Sequence, residues 1–111
     1  MRYEELVENV RTATKDVKVS RGVGHLAFQF NVEGEAEGAF YLEIADGKVN
    51  VEPYEYYDRD MIIMTSAEVI IQMANGKLQP MEAYTNGMLR IHGDIGTLKV
   101  LPLGGNLKTK G

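Results

Sequence analysis

Residues 26–51 repeat with a period of two, which limits the folds open to this chain. Leu26, Phe28, Phe30 and Val32 alternate with Ala27, Gln29 and Asn31, and Phe40, Leu42 and Ile44 alternate with Tyr41 and Glu43. Alternation puts one set of side chains on one face of a pleated strand, so each run predicts a half-buried strand. The sequence Ala45-Asp46-Gly47-Lys48 then joins the second run to Val49 and Val51. Asp-Gly tolerates the positive φ of a tight turn, and this predicts a hairpin. Gly34 and Gly38 bound a polar turn between the first two runs, and Pro53 ends the third. Three short-looped strands imply an antiparallel meander with one apolar face to cover.

Helical signals lie on both sides of the meander. Tyr3, Leu6, Val7 and Val10 follow the i, i+3, i+4, i+7 spacing of an amphipathic helix. Residues 14–24 are a connection with a short extended piece at Val17 and Val19. Residues 61–65 predict a fourth strand. Ser66 is then a good N-cap for a helix over 67–75, with Glu68 in its first turn and Gly76 just past its end. Pro80 opens another helix, where its missing N–H costs nothing, and Gly87 ends it. Residues 88–92 predict a fifth strand. Asp94 caps a last short helix from Ile95 toward Leu101, before Pro102.

The expected fold class is therefore α+β, a five-stranded, mostly antiparallel sheet covered on one face by helices. Its inward sheet positions are Phe28, Phe30, Phe40, Leu42, Met61, Ile63, Leu89 and Ile91. A length of 111 residues suits one domain, taken as 1–103, with 104–111 as a frayed tail.

Composition excludes more than it suggests. The chain has no cysteine, so thiolate metal sites, disulfides and cysteine nucleophiles are out. Glutamates stand near the N-terminus where a signal peptide has its apolar segment, and no apolar run reaches membrane-span length; a soluble, cytoplasmic protein is expected. Net charge is −4, but residues 33–60 hold nine acids and two bases, and residues 77–111 hold five bases and two acids. That distribution would repel a phosphate backbone, so nucleic acid is not an expected partner. The basic end allows at most transient contact with an anionic membrane.

Candidate chemistry is sparse. His25 and His92 fall in different strands, and no metal site or cofactor is expected. Asp58 and Asp60 flank Arg59 and read as turn and ion-pair residues, with a general-base role for either as the enzyme alternative. The two Gly-x-Gly pieces lack the context of a phosphate loop, and no catalytic triad is credible. What remains is soft and apolar: Met61, Met64, Met73, Met81 and Met88 cluster in the second half. Methionine fills irregular space and adapts to varied ligands. Plain core packing accounts for the same pattern.

Three segments carry a resemblance. They are FQFNVEGEAEGAFYLEIADGKVNVEP, DRDMIIMTSAEVIIQMANGKLQPMEAY and GMLRIHGDIG, within residues 26–100. The most specific piece is GKLQPMEAYTNGMLRIHGD, with its ordered Gly-Lys, Pro, Ala-Tyr, Gly and Gly-Asp. The chain resembles the sterol carrier protein type two family. The resemblance implies an apolar tunnel between sheet and helices and non-catalytic binding and transport of fatty acid, acyl-CoA, phospholipid or sterol-like ligands. It implies a lining of the inward strand positions together with Ile70, Met73 and Ala74, then Met81 and Tyr84, then Ile95, Leu98 and Leu101. Arg21 and Arg59 are the candidate head-group partners at a tunnel mouth. The C-terminal Lys-Thr-Lys-Gly is not the Ser-Lys-Leu peroxisomal address of some eukaryotic members, so a stand-alone microbial version is expected.

The other sheet face carries Ala27, Tyr41, Ile62, Met64 and Met88. A contiguous apolar patch there predicts a homodimer through an open sheet face. The alternative use of that face is docking to a partner enzyme, which would make the chain an interaction module.

Overall fold

The computed structural model describes residues 1–104, so all but the first residue of the expected tail lies outside the described residues. Helix α1 spans Tyr3–Thr14, and strands β1 (Leu26–Glu33), β2 (Gly38–Ala45) and β3 (Lys48–Glu52) form the meander. Strand β4 (Met61–Ser66) leads into α2 (Ala67–Ala74) and α3 (Pro80–Thr85); β5 (Arg90–His92) and a 3-10 helix, Ile95–Val100, follow. The sheet order is β3-β2-β1-β4-β5. All pairings are antiparallel except β1 with β4. The chain therefore leaves β3 at one edge and crosses β2 and β1 through residues 53–60 before entering β4.

The registers build one apolar face. Val51, Leu42, Phe28 and Met61 form one cross-strand row; Phe40, Phe30, Ile63 and Ile91 form the next. Phe30 and Phe40 stack, with centroids 4.8 Å apart and planes 8° from parallel. Helix α1 packs on α2 and β3, α2 on β4, and α3 on the 3-10 helix. Arg11 secures α1 to the edge: its Nε and Nη2 donate to the Val51 carbonyl at 3.1 and 2.9 Å.

Several local signals operate as expected. Ser66 Oγ accepts from the Val69 N–H at 3.3 Å. Ser66→Ala is expected to lower stability by about 1 kcal/mol, measured by urea unfolding with an unchanged m-value. Asp94 Oδ1 accepts from the Gly96 N–H at 3.0 Å, but the element it caps is a 3-10 rather than an α-helix. The fifth strand is shorter than the alternation suggests. The Met88 N–H donates to the Ala83 carbonyl at 2.8 Å, which binds Met88 to the end of α3 and delays strand pairing to Arg90.

The outer sheet face is not open as expected. Residues 53–60 form a strap across it. Asp60 grips Ala27 at both backbone groups: its N–H donates to the Ala27 carbonyl at 2.8 Å, and its Oδ2 accepts the Ala27 N–H at 2.9 Å. The Tyr56 N–H donates to Gln29 Oε1 at 3.1 Å, and the Tyr56 ring meets Tyr41 edge-on at 4.8 Å. Ala27 is consequently fully buried and Tyr41 is part-covered. This removes both from the expected dimer face, leaving the part-exposed Ile62 and Met64 and the exposed Met88.

Candidate functional site

The inner layer gathers nearly all of the expected lining. Phe28, Phe30, Phe40, Leu42, Ile63, Ile70, Met73, Leu98 and Leu101 have zero exposure, and Met61, Ala74 and Leu89 are buried. Met81, Ile91 and Ile95 are part-buried and pack against the same core. Tyr84 is the exception. It is 40% exposed, and Ala83, with zero exposure, takes the inward position on α3. Pro80 and Ala83, three residues apart, are buried on one side of this six-residue helix. Leu6, Val10, Leu78 and Leu103, absent from the expected lining, complete the layer.

The layer has a closed centre and part-exposed margins. Its centre consists of side chains with zero exposure, packed into one cluster. Part-exposed apolar residues pack against it at its margins, among them Met81, Ile91, Ile95 and Val100 on α3, β5 and the 3-10 helix, and Val19, Leu26 and Val49 at the β2–β3 end.

A cluster of titratable groups lies on the opposite face. His25 Nε2 is 2.7 Å from Glu43 Oε2, and the Tyr56 hydroxyl donates to the same oxygen at 3.0 Å. Burial pushes the Glu43 carboxyl upward, but hydrogen bonds from His25, Tyr56 and Asn50 and the charge of His25 together hold it below the ordinary range. A carboxyl depressed in the folded state stabilises the fold above its unfolded pKa, and that contribution disappears as pH falls through the folded value. Glu43→Gln is therefore expected to lower Tm at about pH 7 and to match the parent at about pH 2–3, as checked by calorimetry across pH. Hydrogen bonding to Glu43 raises the Tyr56 hydroxyl in turn.

The remaining candidates divide between two clefts, one of which is lined in part by Met61 of the layer. Arg59, Asp60, Ile62 and His92 share a shallow cleft of about 180 Å³ at the β4–β5 end. Arg21 lines a second cleft with His25, on the β2–β3 turn side. Arg59 thus stands beside Met61 of the layer, whereas Arg21 lines a cleft with Gly24, His25, Ala45 and Asp46. Asp60 serves the strap through its bond to Ala27. Among the described residues, no group of three or more His, Cys, Asp or Glu is placed to hold a metal ion, and no helix is long and apolar enough to cross a membrane.

The model of the SCP-2 sterol transfer family matches residues 4–101. The chain belongs to that family. Its members are lipid-binding domains. Hydroxysteroid dehydrogenase-like protein 2 of Xenopus tropicalis is 31% identical over 96 residues, covering 85% of this chain and 22% of that protein. The chain thus spans about a fifth of the length of that SCP-2 relative. Among solved structures, sterol carrier protein 2 like 2 of Aedes aegypti superposes with a TM-score of 0.63 at 17% identity, covering 88% of this chain and 91% of that one. The apo form of sterol carrier protein 2 of Yarrowia lipolytica gives 0.57 at 16% identity, covering 95% and 75%. At such identities these superpositions establish the SCP-2 fold.

Proposed function

We propose that this chain binds and carries apolar ligands, a fatty acid, acyl-CoA, phospholipid or sterol-like molecule, within the layer between sheet and helices, as a cytoplasmic carrier without catalysis. The observation that carries this reading is the continuous apolar layer ending in the part-exposed rim of Met81, Ile91, Ile95 and Val100. An acyl chain entering there would part α3 and the 3-10 helix from the sheet and take over contacts that the side chains now make with one another. Removing a sixteen-carbon chain from water is favourable by about 13 kcal/mol at ~0.8 kcal/mol per methylene. Immobilisation and rearrangement of the layer offset several kcal/mol of that. Micromolar affinity needs only about 8 kcal/mol, so binding follows without a specific polar contact.

Native mass spectrometry of freshly purified protein, with solvent extraction of what is released, tests this reading. The expected result is a bound mass that extracts as a lipid, or uptake of one upon challenge with palmitate, palmitoyl-CoA or cholesterol. A protein that stays ligand-free under all three challenges would refute the carrier reading.

A further inference from the structure

The outer face of the sheet carries a cationic cradle separate from the apolar layer. Lys18 and Lys48 lie directly opposite each other in an antiparallel bridge, where their side chains share one face. Like charges so placed are destabilising unless something anionic lies between them. Among the described residues, neither lysine makes an ion pair, and neither does Arg21. Lys48 pairs with Ala45 on β2. His25 immediately precedes β1, whose first residue pairs with Ile44, so His25 stands beside Ala45. Ala45 is thus a small floor between Lys48 on one side and His25 on the other. Arg21, Gly24, His25, Ala45 and Asp46 line a cleft of about 470 Å³ at this place.

The cradle is held in shape from beneath. Glu43 orients His25 through the 2.7 Å contact at Nε2, and Tyr56 from the strap holds Glu43. The ring's Nδ1 is left as its other polar atom, a donor when the imidazole is charged. Gly47 brings the β2–β3 turn against the segment bearing Lys18 and Arg21: its φ is +77°, and a Cβ there would lie 2.9 Å from the Val19 carbonyl oxygen. Asp46 is the one acid lining the cleft, against Arg21 in the cleft and the two lysines beside it, with His25 already held by Glu43. Arginine and histidine donors with flanking ammonium groups suit an oxyanion of tetrahedral shape.

The geometry points to a phosphate-binding site formed by Lys18, Arg21, His25 and Lys48, for the phosphate of a lipid head group or of a soluble phosphomonoester. It stands independently of ligand uptake in the apolar layer.

The test has two arms, run on the full chain. In the first, glycerol 3-phosphate and inorganic phosphate are titrated into ¹⁵N-labelled protein at constant ionic strength, with chloride as control. In the second, sedimentation with phosphatidylglycerol vesicles is compared with phosphatidylcholine vesicles. Saturable shifts at Arg21, Gly24, His25 and Ala45, weakened at least tenfold in Arg21→Gln/Lys48→Gln, support the site and assign it to soluble phosphates. No saturation in the first arm, with phosphatidylglycerol binding reduced at least tenfold in the same variant, supports the site and assigns it to a head group. Neither response, or responses that chloride reproduces or the variant leaves unchanged, overturns the proposal. The shift map of the unmodified protein decides the first arm even if the variant folds poorly.

Discussion

Phe30→Ala is expected to destabilise the fold by about 3–5 kcal/mol, the upper end of what one truncation in the layer can cost. Phe30 sits on the central strand β1 with zero exposure, stacked on Phe40 and in register with Ile63. Removing its ring loses the transfer free energy of the buried aromatic and leaves a void bounded by a stiff sheet that cannot collapse into it. A domain of this size has only about 5–15 kcal/mol in all, so the variant should lie near its unfolding threshold at about 37 °C. Urea unfolding with intrinsic tyrosine fluorescence measures it. A loss below about 1 kcal/mol would mean that the layer repacks freely. The same variant has a second use. Apolar voids bind apolar guests; if the layer is the ligand site, palmitate should raise the variant's Tm by more than it raises the parent's.

Met81→Asp is expected to weaken acyl-chain binding at least tenfold while leaving most of the stability intact. Met81 is part-exposed on α3, which packs on the 3-10 helix that carries Ile95. In the ligand-free protein a carboxylate there keeps contact with water, so its cost to folding is small. With a chain passing the rim, the same carboxylate is desolvated against methylene groups without a partner, which costs several kcal/mol. Fluorescent fatty-acid displacement against thermal unfolding separates the two effects. Binding unchanged in a well-folded Met81→Asp protein would move the entrance away from α3.

The strap decides how the two faces of the sheet divide their roles. It covers Ala27, Gln29 and Tyr41 and buries polar Gln29 with its amide satisfied by Asn31 and Tyr56. The strap leaves Ile62 and Met64 part-exposed on the β4 side, and what the outer face exposes at the β2–β3 end is charge. The inner face keeps the soft apolar residues. The proposed lipid and phosphate sites therefore use opposite sides of one sheet, joined through β1 and β2.

Local grammar was legible from residues alone. Period-two alternation set the faces of β1 and β2, Asp46-Gly47 set the hairpin, and Ser66, Gly76 and Pro80 bounded α2 and α3, because each acts through neighbours in the chain. Periodicity cannot reveal a cavity, so the tunnel was an expectation of family resemblance only. Tertiary structure decided the rest. Parallel pairing of β1 with β4 depends on a crossover whose path no local preference dictates. That path carried residues 53–60 over the outer face, burying Ala27 and bringing Tyr56 to a Glu43–His25 pair that lies 18 residues apart in sequence. Helix α3 is too short for periodicity to fix its phase, so Ala83 rather than Tyr84 faces inward. The bridge between Lys18 and Lys48 joins a connection to a turn; only the folded chain places those two charges side by side.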